Sequence, residues 1–378
     1  MMKSVAEENK EKIIETLKLL TFKEDNNLFE KIDFDNDTIF LEPLLFSYFN
    51  SKKNNTFPST TLQEILQGYY TNKEKLNLKY SYNQNNIAYV PKLGYLKKET
   101  QEKIEKPLVY GDFEILKEVH STQEKYFVEV SKGHIVNKEP KHKTVWKENY
   151  KELCEAIDII KKHLPEFYQE LVFANRKIYL HDNPRILNFT TVETLGMLYF
   201  YVLGKNNLIY FIEELIHQGS HNYLYYVVHN RQDYFKIDVD NLVMRNFTGQ
   251  DWDYRTIYGA FHGLYTVGQR VKYFDQLLQK NVFSGREKHE LLGRFTDQFE
   301  RFRTGLELLN FDQVFTSKGL GFYKQLDNEC EETLKKYKIL TKEFDVSNRE
   351  VDFRYDSFCE LNAYEEFLKK DKEGLFNF

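Results

Sequence analysis

The chain has 378 residues, 41% hydrophobic and 29% charged, the balance of an ordinary globular protein with a sizeable core and, from length alone, about two domains. A net charge of −5 gives no electrostatic footprint for nucleic acid or an anionic membrane. The start, MMKSVAEENKEKIIETLKLL, is amphipathic and lacks the basic-then-apolar order of a signal peptide, and no stretch is long and apolar enough to span a membrane, so a cytoplasmic location is expected. Cys154, Cys330 and Cys359 are too few and too scattered for a disulfide framework or a structural zinc site. The 31 Phe and 27 Tyr, beside many Lys and Asn, fit codon bias as readily as function. Composition leaves the oligomeric state open.

Along the chain, a first helix is followed by a polar region in which NSKKNNTFPS (50–59) and YSYNQNN (80–86) read as loops. PLVYGDFEILKEV and KYFVEVSKGHIV carry short β-branched and aromatic runs separated by the polar STQE, as the two arms of a hairpin would be. In TVWKENYKELCEAIDIIKKHLP the residues Trp146, Tyr150, Leu153, Ile157, Ile160 and Leu164 recur at helical spacing, which predicts an amphipathic helix ended by Pro165. Between Phe167 and Leu195 the pattern is strand-like, with KIYLHDN and RILNFTT as candidates. After a polar break at residues 205–207, LIYFIEELIHQGSHNYLYYVVHN is too apolar and too long for one strand, and predicts a largely buried helix of roughly five or six turns.

On that helix His217 and His221 are about one turn apart and leave the same face, with Cβ atoms roughly 5–6 Å apart, so the two imidazoles can grip one metal ion. Such pairs also arise by chance. The setting favours a ligand role, because burying two imidazoles, a Gln and a Ser in so apolar a helix is costly unless partners satisfy them. Gln218 stands where a zinc hydrolase of this pattern needs a carboxylate base, and Val227 stands where one large protease class places its third ligand, so peptide hydrolysis is disfavoured. His229 falls well off the axial line of the pair. A second apolar helix, containing Tyr258, Phe261, Tyr265 and Val271, is interrupted by His262 between Gly259 and Gly263, which admit close approach. Seven residues before His262, Arg255 can lie on the same side, either to hold a carboxylate ligand or to pair with Asp251 or Asp253.

The runs EELIHQGSHNYLYY, YRTIYGAFHGLYTV and VFTSKGLGFYKQL, together with NFTTVETLGMLYF upstream, resemble the bacterial family described as HExxH-type peptide modification proteins. Coverage extends from about Trp146 to Leu326. The resemblance implies an iron- and 2-oxoglutarate-dependent peptide β-hydroxylase acting on a ribosomally made precursor peptide, with Fe(II) and 2-oxoglutarate as cofactors. It maps the two-histidine motif onto His217 and His221, the His-Gly pair onto His262 and Gly263, the preceding arginine onto Arg255, and a Thr-x-x-Gly onto Thr316 and Gly319. His217, His221 and His262 are thus the implied metal ligands, with Asp251 or Asp253 as a carboxylate alternative for the third, and Arg255 is the implied holder of 2-oxoglutarate. Gln218 replaces the family's Glu. An oxygenase needs no protein carboxylate to abstract hydrogen, and Gln218 can still hydrogen-bond behind a ligand, so the substitution counts against a protease more than against an oxygenase. A catalytically impaired peptide-binding partner and a zinc metallohydrolase are the alternatives. The expected architecture is α+β and mainly helical: an N-terminal accessory region over 1–143, a metal-site domain with a small sheet region over 144–330, and an extension over 331–378.

Overall fold

The computed structural model describes residues 2–51, 57–72, 79–100, 104–131, 134–137, 145–183, 186–309, 312–349 and 353–378. Helices make up 61% of it and the strands form small sheets, an α+β, mainly helical fold as the sequence predicts. Two compact units interleave along the chain: Met1–Cys154, Glu170–Asn206 and Tyr225–Val227 form one, and Glu155–Gln169, Asn207–Leu224 and Val228–Phe378 form the other. No helix among the described residues is long and apolar enough to cross a membrane.

The first unit begins with α1 (Met2–Glu24), α2 (Pro43–Ser51) and α3 (Ser59–Leu66). The antiparallel hairpin of β1 (Ile87–Val90) and β2 (Gly94–Lys97) follows. Next come β3 (Leu108–Tyr110), β4 (Phe113–Leu116), β5 (Val128–Ser131) and β6 (His134–Asn137). After α4 (Val145–His163) and α5 (Pro165–Ala174), which each cross from one unit to the other, the unit closes with β7 (Lys177–His181) and β8 (Met197–Tyr201).

The loop expected over 80–86 is present, and 52–56 of the loop expected over 50–59 lie outside the described residues. The expected single hairpin between 107 and 136 is instead two, β3 with β4 and β5 with β6, and STQE begins a 3-10 helix (Ser121–Phe127) between them. Alternating polar and apolar residues mark strands without saying which strand pairs with which. Of the strand-like reading of 167–195, KIYLHDN is β7, and the rest is corrected. Pro165 both ends α4 and opens α5, a helix start that tolerates its missing N–H, and RILNFTT contributes only an isolated bridge, Phe189 to Tyr199.

The four-stranded sheet runs β3-β4-β7-β8, antiparallel at its first pair and parallel at the other two, with Ile178 opposite both Ile115 and Leu198. Every residue of β7 is buried, as expected for an inner parallel strand covered on both faces. That burial includes Lys177, whose Nζ meets Tyr89 Oη at 2.7 Å, Glu114 Oε2 at 2.8 Å and Glu42 Oε2 at 3.2 Å. Burial alone would discharge this ammonium, but Glu114 and Glu42 raise its pKa above the ordinary lysine value.

The second unit is helical. It contains most of α6 (Leu208–Val227), then α7 (Arg245–Thr248), α8 (Ile257–Gln279), α9 (Gly285–Leu309) and α10 (Ser317–Lys336). The short α11 (Leu340–Glu343), α12 (Tyr355–Leu361) and α13 (Tyr364–Lys372) complete it. α6 and α8 begin at side-chain caps: Asn207 Oδ1 accepts from Tyr210 N at 3.0 Å, and Thr256 Oγ1 accepts from Gly259 N at 2.9 Å. Thr316 caps α10 through Gly319 N at 3.1 Å and donates its hydroxyl to Asp233 O at 2.6 Å. A Cβ on Gly319 would stand 1.9 Å from Tyr234 O, so this Thr-x-x-Gly is explained by a cap and a close backbone approach.

Candidate metal centre

The one-turn spacing on α6 places the His217 and His221 ring centroids 4.9 Å apart. His262, six residues into α8, brings its ring centroid to 4.3 Å from that of His221, and the two Nδ1 atoms face each other at 2.7 Å. One of these nitrogens carries the proton and donates it to the lone pair of the other. All three residues are partly buried, and the His217 side chain is 25% exposed.

Electrostatics keep two of the rings neutral. Burial, reinforced by His217, Arg231 and Arg255, pushes the His262 pKa down to about 4. Burial, then His262, His217 and Arg270, takes His221 well below the ordinary histidine range. A neutral imidazole is the form that binds a metal.

Two residues meet the far nitrogen of His217. Gln218 Nε2 lies 3.3 Å and Glu214 Oε2 lies 3.5 Å from its Nδ1, and those two atoms are 3.4 Å from each other. Gln218 Oε1 is buried with no hydrogen-bond partner among the described residues. Glu214 was not singled out from sequence, although it sits in the run that drew attention to the histidines. The signal was present: an acidic residue three positions before a ligand shares its helix face.

Beneath the rings is a second feature that the sequence reading missed. Glu213 Oε1 accepts from Arg270 Nη1 at 3.0 Å, and its Oε2 accepts from Arg294 Nη1 at 2.5 Å. Arg294 in turn donates to Glu290 Oε1 from Nε at 2.9 Å and from Nη2 at 2.7 Å. All four side chains are buried, and they tie α6, α8 and α9 together. Burial alone would raise the Glu213 carboxyl, but Arg294 and Arg270 hold it at about 2.

Arg255 is not on the His262 helix, which starts at Ile257, but in the segment leading into it. Its Nε and Nη2 donate to Asp253 Oδ1 and Oδ2 at 2.9 and 2.8 Å, a bidentate pair in which Asp253 is 1% exposed and Arg255 is 49% exposed. Of the two readings open from sequence, the ion pair with Asp253 is therefore present. The Nη1 end of the guanidinium meets no protein acceptor among the described residues. Asp253 is thereby committed to Arg255, and Asp251 is exposed. Arg231 adds a second cation beside His262, its guanidinium 3.6 Å from the Tyr258 ring centroid and that ring 5.4 Å from the His262 ring. His229 follows the end of α6.

The donor set suits a late first-row divalent ion, which imidazoles favour. Its present arrangement is not that of finished ligands. Among the described residues no three His, Cys, Asp or Glu side chains form a ready metal-holding group. The two Nδ1 atoms share a hydrogen bond at 2.7 Å, so the proton between them would have to leave before both nitrogens could bind one ion. No protein-family model and no curated protein matches this chain.

Proposed function

We propose that His217, His221 and His262 hold Fe(II) in an oxygenase that uses 2-oxoglutarate to hydroxylate a β-carbon of a ribosomally made precursor peptide. The observation that carries the reading is the convergence of three imidazoles from two helices, two of them kept neutral, with the charges of Arg231 and Arg255 felt at His262. Three histidines admit zinc as readily as iron, and it is the sequence resemblance that selects iron. When bound, iron with the keto acid and O₂ supplies the oxidising power for hydrogen abstraction.

The chain's own residues orient and hold. Glu214 accepts the Nδ1 proton of His217, which leaves the Nε2 lone pair for the metal. Gln218 donates from Nε2 to Glu214 Oε2 at 3.4 Å, steadying the carboxylate that holds the ring, and has no carboxylate of its own with which to activate a water. The outer edge of Arg255, backed by Asp253, receives the distal carboxylate of the keto acid. The test is anaerobic loading with Fe(II), then conversion of 2-oxoglutarate to succinate and the gain of one oxygen atom by a co-expressed precursor peptide. Iron binding without either product would overturn the oxygenase reading.

A second reading, a peptide-binding partner without turnover, draws on the pairing of Arg255 with Asp253 and on the His221 to His262 hydrogen bond, both of which satisfy the site without ligands. Peptide binding that is unchanged by chelators, with no bound iron, would favour it.

A further inference from the structure

Apart from the histidine cluster, the first unit contains a cavity of about 490 Å³, within the size range of small-molecule sites. It is lined by the β1–β2 hairpin, the residues following β4 and the first turn of α4. Ile87, Tyr95 and Trp146 give it an apolar and aromatic lining.

The charges around it are unequal in their freedom. Glu105 is ion-paired with Lys117. Glu118 Oε2 accepts from Asn83 Nδ2 at 3.2 Å and Asn85 Nδ2 at 2.9 Å. Both negative groups in the lining are thus already satisfied. Lys97 and Lys147 also line the cavity, and among the described residues neither has a carboxylate partner. Lys117 Nζ stands 5.0 Å from the Trp146 ring centroid and 6.0 Å from that of Tyr95, and Lys147 Nζ stands 5.5 Å from Trp146. Ammonium groups and ring faces are therefore presented together, and the free charge at the rim is positive.

We propose that this cavity is a binding site for a small aromatic carboxylate, with its ring against Trp146, Tyr95 and Ile87 and its carboxylate between Lys97 and Lys147. A neutral ring would leave both lysines solvated and unused. A compact inorganic anion would leave the apolar lining wet. The ligand needs both parts. The site lies wholly within the first unit and does not depend on the metal reading.

The test uses the full chain carrying Trp252→Phe. Trp252 is exposed, and its replacement leaves Trp146 as the remaining tryptophan. The probes are 2-naphthoate and its uncharged counterpart 2-naphthamide. Naphthoate is expected to change Trp146 emission saturably and to bind about tenfold more tightly than the amide, as two surface ion pairs within their usual range would give. Lys97→Glu with Lys147→Glu should remove that preference while leaving the far-UV circular dichroism unchanged, since both side chains are exposed. Should the double reversal unfold the chain, Lys97→Gln with Lys147→Gln makes the same comparison and should also abolish the preference. Equal affinity for acid and amide, a preference that survives loss of both lysines, or no saturable response up to the solubility limit would each overturn the proposal.

Discussion

His217 gains its position from a residue on its own helix. If Glu214 fixes the Nδ1 proton, then Glu214→Gln should weaken Fe(II) binding by about 10–100-fold, the usual effect of removing a group that orients a metal ligand, with little change in helicity. Gln218→Glu supplies the comparison. It should keep or strengthen metal binding, and appearance of zinc-dependent peptidase activity in that variant would favour a hydrolase ancestry over the oxygenase reading. His181 offers a different residue-scale test. Neither of its ring nitrogens has a hydrogen-bond partner among the described residues, Phe127, Tyr179, Phe189 and Tyr201 surround it, and burial lowers its pKa from 6.5 to about 3. The unfolded chain therefore takes up this proton first. The stability due to a neutral His181 is complete above pH 6.5 and falls as the pH drops toward 3, by about 2 kcal/mol at pH 5. His181→Phe should flatten the decline in urea-unfolding free energy between pH 7 and pH 5 by that amount. Parallel curves for variant and parent would show that His181 is charged or satisfied in the fold.

At the scale of elements, α6, α8 and α9 are joined by a buried charge network in which Glu213 and Glu290 meet Arg270 and Arg294, with the more exposed Arg286 also pairing with Glu290 at 3.2 Å. Removing one carboxylate uncovers buried guanidinium groups. Glu213→Gln should cost about 3–5 kcal/mol, read as a lowered urea midpoint at pH 7, whereas loss of an exposed pair such as Lys12 with Glu8 should cost at most about 1 kcal/mol. A Glu213→Gln variant as stable as the parent would mean that water reaches the network. Of these, α6 and α8 were legible in the sequence because long apolar runs at helical period leave little alternative, whereas α9 is rich in charged residues and was not read. The histidine cluster was partly legible: spacing along one helix is a local property, so His217 and His221 could be paired on sight, while placing His262 beside them depended on the resemblance. Glu213 was overlooked because its partners, Arg270 and Arg294, are far away in sequence, and nothing local announces which arginine a buried glutamate will meet. Strand pairing failed for the same reason. β4 and β7 are parallel neighbours with the β5–β6 hairpin, α4 and α5 between them in sequence, so the apolar run within each shows burial but not its partner.

At the scale of the molecule, the chain returns to the first unit after leaving it, and this return decides what a truncation can do. Cutting before residue 144 keeps β7 and β8 but removes β4, which pairs with β7 in parallel from Glu114 to Leu116. It also removes Glu114, Glu42 and Tyr89, leaving Lys177 without its partners in a strand whose every residue is buried in the full chain. An uncovered strand edge invites pairing with other chains, and the apolar residues Ile178, Tyr179 and Leu180, buried in the full chain, add to the tendency. The fragment 144–378 is therefore expected to associate or precipitate, even though it contains all three histidines of the proposed metal centre. Size-exclusion chromatography beside the full chain at matched concentration checks this. A monodisperse, monomeric fragment with a cooperative thermal transition would show that β7 finds other cover and that the helices need nothing from the first 143 residues to fold. If the fragment associates, co-expression with residues 1–143 should restore solubility, because the missing strand and the missing carboxylates are then supplied in trans.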